Sequence, residues 1–236
     1  MALLSFGPDG WGRALLQGAW ITISVAVVTL PFGLALGLMM ALAFRSSNRF
    51  WNRLATVYTT VFRGLPELLT LYIIYFGFQL LVERLVKLLH IESQFSISPF
   101  IAGVVALGLV LAAFSAEVWL GAFNALNKGQ VEGAYALGLG RVQAFRHVVW
   151  PQLLRAALPG LGNNWMVLLK ETSLVSVITL QDTMFIATRA SVVTKEPFLF
   201  FSAAACLYLL FSVVSAAGLW ALERKSARGF VRVGGH

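Results

Sequence analysis

The sequence is short of charge and almost without cysteine. Only 12% of its 236 residues are Asp, Glu, Lys or Arg while 58% are hydrophobic, and the mean hydropathy is +0.80. An average soluble domain carries about 25% charged residues, so this composition excludes one and makes the bilayer the solvent. The single cysteine, Cys206, sits inside an apolar run and excludes an intramolecular disulfide. His90, His147 and His236 are too scattered to hold a metal, and there is no HExxH, no Ser and His arrangement and no paired intramembrane Asp. Nucleophilic and metal-assisted hydrolysis therefore have no residues to carry them, and no catalytic residue is assigned. A GxxxxGK[ST] phosphate loop is also missing, so ATP must be hydrolysed elsewhere. The N-terminus lacks the basic region and small-residue cleavage site of a removable signal, and the first apolar run is expected to stay as an anchor. Acids are the scarcer charge, 10 against 18 bases, for a net charge of +8. That excess does not read as a nucleic-acid surface, because the bases cluster beside the ends of apolar runs, which is a topology signal.

What the chain does have is long apolar runs. A spanning helix needs about 20 apolar residues, and runs of that kind lie at 15–44, 68–89, 99–120 and 198–222. A fifth, 156–180, is interrupted by Pro159, Gly160, Gly162, Asn163, Asn164 and the run from Lys170 to Ser173. The whole chain, 1–236, thus reads as a single all-α integral membrane domain of five transmembrane helices. Sorting Lys and Arg by loop sets its orientation. Arg45, Arg49, Arg53, Arg63, Lys128, Arg141, Arg146, Arg155, Arg224, Lys225, Arg228 and Arg232 fall on one side. On the other, Arg13, Arg84, Lys87, Lys170, Arg189 and Lys195 are offset by Asp9, Glu83, Glu92, Glu171, Asp182 and Glu196. The N-terminus is expected outside and the C-terminus inside. Gly33, Gly37, Gly103 and Gly108 lie within spans, where small residues allow helices to approach, and fit pairing with a second chain.

Two segments between spans carry patterns of their own. Phe50, Trp51, Leu54, Val57, Tyr58 and Val61 recur at helical spacing and predict an amphipathic interfacial helix. Arg63-Gly64-Leu65-Pro66-Glu67 then punctuates the backbone. The other segment, 132–151, reads EGAYALGLGRVQAFRHVVWP. A polar, glycine-punctuated insert has no packing reason to stand between two spans unless something in water docks on it. Helix is predicted over 130–137, a turn between Gly138 and Gly140, and helix again over 141–150 until Pro151 stops it.

Glu132, Ala134, Gly138, Val148 and Pro151 resemble the EAA loop of ATP-binding-cassette importer permeases, which runs Glu-Ala-Ala, three residues, Gly, nine residues, Ile, any residue, Leu, Pro. The register fits over 20 positions, with Gly133, Val148 and Trp150 standing for the pattern's second Ala, Ile and Leu. Arg63-Gly64-Leu65-Pro66, with Gly64 and Pro66 as its structural motif, Lys128-Gly129 and the run from Leu158 to Trp165 are similar to permeases of polar and basic amino acids, histidine, lysine-arginine-ornithine and opine importers above all. The resemblance implies a transmembrane permease subunit of a binding-protein-dependent importer in a bacterial inner membrane. It would pair with a second permease, a paralogue more than itself, with two ATPase subunits that bind ATP and Mg, and with a periplasmic amino-acid-binding protein. No cofactor would bind to this chain. The loop 128–151 would hold the coupling helix, oriented by Glu132 through backbone caps or a basic partner, with Gly138 permitting close contact.

Candidates for the substrate path are the polar residues that a bilayer would otherwise exclude. Glu117 lies about 27 Å along its span at 1.5 Å per residue; it either touches substrate or forms a structural pair with Arg63 or a partner subunit. The broken fifth run offers Asn164, Lys170, Glu171, Thr172 and Ser173, with Asp182 beyond it. Lys170 could meet a carboxylate and Asp182 or Glu171 an ammonium or guanidinium; structural or loop roles remain open for each. The competing function is a stand-alone carrier or channel, against which the small span count, the absence of an inverted repeat and the EAA register all argue.

Overall fold

A computed structural model describes residues 2–7, 10–88 and 97–227. The end of the second expected span at Leu89, the charges Asp9, Glu92, Arg228 and Arg232, and His90 and His236 lie outside the described residues, as does the side chain of Lys87. Among those described the regular structure is all helical. In chain order it comprises α1 (Gly12–Phe44), α2 (Arg49–Gly64), α3 (Glu67–Tyr72), a π-turn (Ile73–Gly77), α4 (Phe78–Leu88), α5 (Pro99–Asn124), α6 (Lys128–Ala136) and α7 (Arg141–Ala144). A second π-turn (Phe145–Val149), α8 (Trp150–Glu171), a 3₁₀ turn (Thr172–Ile178), α9 (Thr183–Thr194) and α10 (Pro197–Ala227) follow.

The middle of the bundle is α5 laid along α1. Glycine makes the seam tight: a Cβ at Gly33 would come within 2.5 Å of the Leu111 side chain, and one at Gly37 within 2.8 Å of Ser115 Cβ. Gly108 receives the Phe32 ring and Gly103 faces Val175. The four glycines expected to serve a second chain are therefore occupied inside this one, because two apolar helices gain dispersion contact only where their backbones can close. Trp119 donates from its ring N–H to the Leu34 carbonyl at 3.3 Å, fixing the same seam.

Three apolar clusters stack along the bundle. Leu15, Ile186 and Phe200 join α1, α9 and α10 at one end; Val25, Leu107 and Leu168 join α1, α5 and α8 in the middle; Ala41, Phe123 and Leu153 close the other end. Outward, α1 and α10 present Val28, Met39, Leu209 and Val213, which is what lipid accepts and water does not.

Three helices, Gly12–Phe44, Pro99–Asn124 and Pro197–Ser226, are long and apolar enough to cross a membrane. Arg49–Gly64 and Glu67–Arg84 form a pair bent by 109°, the geometry of either a broken span or a re-entrant loop. The second expected span, 68–89, overlaps the second member of this pair, and α2 precedes it. That helix is amphipathic as predicted, starting beside the end of α1 where Asn52 Nδ2 donates to Phe44 O at 2.7 Å, and crossing α5 where the Tyr58 hydroxyl donates to Leu109 O at 2.7 Å. Its break at Leu65 and Pro66 is the predicted one.

Two expectations about proline fail. Pro159 does not interrupt 156–180, and Pro151 does not stop the docking segment: α7, the π-turn and α8 run on as one helical rod. Pro151 falls in the first turn of α8, where its missing N–H matters least, and the preceding ladder has already widened into the π-turn. At 22 residues α8 is about 33 Å long, but Arg155, Lys170, Glu171 and two asparagines keep it less apolar than the other three helices.

Tight backbone contact predicts the effect of added volume. A Cβ at Gly18 would lie 2.8 Å from the Asp182 carbonyl oxygen and 3.0 Å from Thr183 N, neither of which can move without shifting α9. Gly18→Val is expected to lower stability by about 1–3 kcal/mol, the cost of overpacking. Gly121→Ala, where nothing lies within 4 Å, should be neutral or stabilising. Thermal unfolding of the two purified variants against the unaltered protein checks both.

Candidate translocation pocket and docking loop

Helix α8 carries Asn163, Asn164, Val167 and Glu171 on one face by the i, i+4, i+8 rule. Opposite, α5 supplies Leu111 and Phe114, and the break after α2 supplies Glu67 in the first turn of α3. Together these seven residues enclose a cavity of about 180 Å³. Asn164 Nδ2 donates to Ser115 Oγ at 3.3 Å, which orients the amide. Beyond Phe114, Arg63 stands with its guanidinium 5.7 Å from the ring centroid and makes an ion pair of 2.8 Å with Glu117 Oε1. Both side chains of that pair are nearly half exposed. Two carboxylates in one small cavity repel each other and favour a cation between them, while the Arg63 head group provides the opposite sign across the ring.

Of the path residues expected from the sequence, Asn164 and Glu171 line this cavity and Glu117 borders it through Arg63. Lys170 is exposed. Thr172 is fully buried and donates from Oγ1 to Leu169 O at 2.7 Å; Ser173 Oγ donates to Lys170 O at 2.8 Å. Those hydroxyls are turned back onto carbonyls three residues earlier, where the helix tightens from α to 3₁₀, so they serve the backbone rather than an open path. Asp182, expected as an ammonium partner, is also fully buried. Its carboxylate accepts the N–H groups of Phe185 at 2.9 Å and Met184 at 3.3 Å as the N-cap of α9. Glu67, Asn163 and Phe114 were not anticipated. The readable signal was an acid directly after a Gly and Pro break, since freed helix ends within the membrane attract ligand sites.

The loop 128–151 has the predicted helix, turn and helix. Asn127 Oδ1 caps α6 by accepting Gly129 N–H at 2.9 Å, which leaves the cap role expected of Glu132 already filled; Glu132 is exposed one turn further in, where no orphan N–H remains. At the other end Gly138 takes φ +80°, Gly138 N–H donates to Tyr135 O at 2.9 Å and Leu139 N–H to Ala134 O at 3.1 Å. That is a Schellman close, and it requires a left-handed residue at the position of Gly138. Ala134 is the buried residue of α6. Around the turn Leu137 and Val142 are 85% and 79% exposed, with Tyr135 and Phe145 half exposed beside them. Four large apolar side chains are thus exposed around this one turn.

The Asp182 carboxyl is pushed up to about 6, by burial first, with the Phe185 and Met184 N–H groups and the nearby Tyr208 hydroxyl pulling the other way. A carboxyl raised above its ordinary 3.8 binds its proton more tightly folded than unfolded. Its contribution to stability is therefore full below about 4 and declines as pH rises through about 6. Asp182→Asn, which keeps an oxygen for the cap, is expected to remove that part of the slope of thermal midpoint against pH.

Residues 33–228 match the family described as "Binding-protein-dependent transport system inner membrane component". The chain is 40% identical over 232 residues to the octopine transport system permease protein OccQ of Rhizobium meliloti, covering 98% of each. It is 37% identical over 223 residues to the histidine/lysine/arginine/ornithine transport system permease protein HisQ of Escherichia coli (strain K12), covering 94% of this chain and 97% of that one. The crystal structure of an amino acid ABC transporter with histidines superposes with a TM-score of 0.76 at 30% identity, covering 91% of this chain and 95% of that one. An inward-facing MetNI methionine ABC transporter superposes at 0.69 with 17% identity over 92% and 97%, a likeness of fold.

Proposed function

The chain belongs to the family of binding-protein-dependent transport system inner membrane components and is a permease subunit of an ABC importer, and on that premise we propose its solute, its topology and its route of coupling. Such a subunit is a transport component, not an enzyme; the family implies ATPase and binding-protein partners, and the ATPase uses the ATP. The solute is a polar amino acid, basic or of the opine kind. The named solutes of the relatives support this, and so do Glu67 and Glu171, which give the cavity an affinity for an ammonium or guanidinium group.

The observation that carries the coupling route is the unbroken rod from Arg141 to Glu171. A push on Leu137 and Val142 at the turn cannot be absorbed at Pro151, so it travels about 20 Å from Trp150 to Asn163 along α8 and moves the wall of the cavity. This is a rigid-body transition led by a docked helix. Ala134 and Gly138 set the shape of the docking turn, Pro151 sits in the rod, and Glu132 is left exposed for a basic group on the ATPase. The subunit crosses a bacterial inner membrane five times, N-terminus outside, with the broken α2 to α4 pair and α8 as the second and fourth crossings. The gathering of basic residues on one side supports that orientation. It works with a second, paralogous permease and two ATPase subunits.

Cross-linking from Gly138→Cys in a Cys206→Ala background tests the route. An ATPase captured at that position, more or less strongly as ATP is added, is expected; no capture there or at Leu137 and Val142, in correctly inserted protein, overturns it. The cavity is tested by Glu67→Gln and Glu171→Gln in proteoliposomes. Each should weaken uptake of a cationic solute tenfold or more, the equivalent of about 1.4 kcal/mol, with ATPase docking retained. Unchanged uptake by both would move the solute elsewhere.

A further inference from the structure

If Glu67 and Glu171 hold the cationic end of an amino acid, as proposed above, its α-carboxylate still needs a partner inside a largely apolar bundle. Lys170, expected for that role, does not line the cavity. Arg63 reaches its edge: the guanidinium lies 5.7 Å from the centroid of the Phe114 ring, and Phe114 is part of the cavity wall. We infer that Arg63 receives the carboxylate of the solute, and that Glu117 occupies the same guanidinium until the solute arrives. This inference rests on the reading of the two-carboxylate cavity as the solute's place.

Geometry separates an exchangeable pair from a tie between helices. Among the described residues Arg63 and Glu117 are joined through one hydrogen bond, from Nη1 to Oε1 at 2.8 Å. A guanidinium presents its N–H donors as a planar fork that fits a carboxylate two at a time, so most of the fork is left for another oxyanion. The two side chains are 44% and 43% exposed, and a pair this open is weak and readily exchanged. Nor does α2 depend on it for its place. Ala55 and Thr59 are buried, and the Tyr58 hydroxyl already holds α2 to α5 through the Leu109 carbonyl.

Position turns the exchange into a filter. Arg63 lies in the last turn of α2, Leu65 is extended, and Glu67 opens α3 after Pro66. The group that takes the carboxylate and one of the acids that take the cationic end thus stand on either side of one backbone break, and Glu171 of α8 completes the pair of acids. A solute carrying both charges satisfies Arg63 and the acids together. An amine or guanidine without a carboxylate leaves Arg63 on Glu117 and gains only the acids. The class selected is therefore a cationic amino acid with its α-carboxylate free, not a simple amine.

Arginine and agmatine, which is arginine without its α-carboxylate, separate the two ends of the solute. Their binding to the assembled transporter in nanodiscs, with no binding protein added, is the test. Arg63→Gln is expected to weaken arginine about tenfold, the equivalent of about 1.4 kcal/mol, and to leave agmatine within about twofold. Arg63→Lys, which keeps the charge without the fork, should fall between the two. Glu117→Gln should tighten arginine about threefold with agmatine unchanged, because the guanidinium no longer has a resident carboxylate to give up. Equal weakening of both ligands by Arg63→Gln, or weaker arginine binding by Glu117→Gln, makes the pair a structural tie and overturns the inference. Agmatine binding unmoved by both Glu67→Gln and Glu171→Gln is a different failure, which overturns the reading of the cavity and the exchange with it.

Discussion

The seam between α1 and α5 is the contact on which the other helices are placed. Bilayer lipid is as apolar as the helix surfaces, so no hydrophobic force drives one span against another, and association rests on close packing. Gly33 and Gly37 let the α1 backbone meet Leu111 and Ser115 directly. Once α5 is fixed, its remaining faces receive α2 through Tyr58 and Arg63, and α8 through Asn164 and the Val118 contact at Gly160. The cavity is a space left beside this one tight line.

Polar groups follow from the same constraint. Nothing in hydrocarbon can solvate a hydroxyl or a carboxylate, so each must find its partner within the protein. Thr22 meets Thr183 at 2.8 Å, Thr172 bonds its own helix, and Asp182 caps α9. Glu67 and Glu171 differ, because they line a cavity. Arg63 and Glu117 occupy an intermediate position, paired with each other yet half open beside the same cavity.

Mechanical continuity is the second consequence of local chemistry. Pro151 sits in the first turn of α8 behind a π-turn, and the docking turn is pinned by the left-handed Gly138. Neither place is a flexible hinge. The rod instead joins the exposed Val142 to the wall formed by Asn163 and Glu171.

Most of the helical content was legible because its signals are local. Apolar length marks α1, α5 and α10, amphipathic spacing marks α2, and Gly138 marks the docking turn through its own backbone angle. The reading of the prolines failed because the cost of a proline depends on whether the neighbouring turn can widen, which residue spacing does not report. Asp182 and Thr172 have the structural roles left open for them, since a polar residue in an apolar context is equally a ligand contact or a backbone cap. The sequence by itself determined that this is a membrane protein, where a helix, turn and helix stand between its apolar runs and which family it joins, since composition, turn chemistry and motif register are properties of neighbouring residues. Only the tertiary structure decided that Glu67 and Glu171 line one cavity across more than a hundred residues and that the span glycines are used internally. Burial and proximity are set by how helices pack, and many packings are compatible with the same apolar pattern.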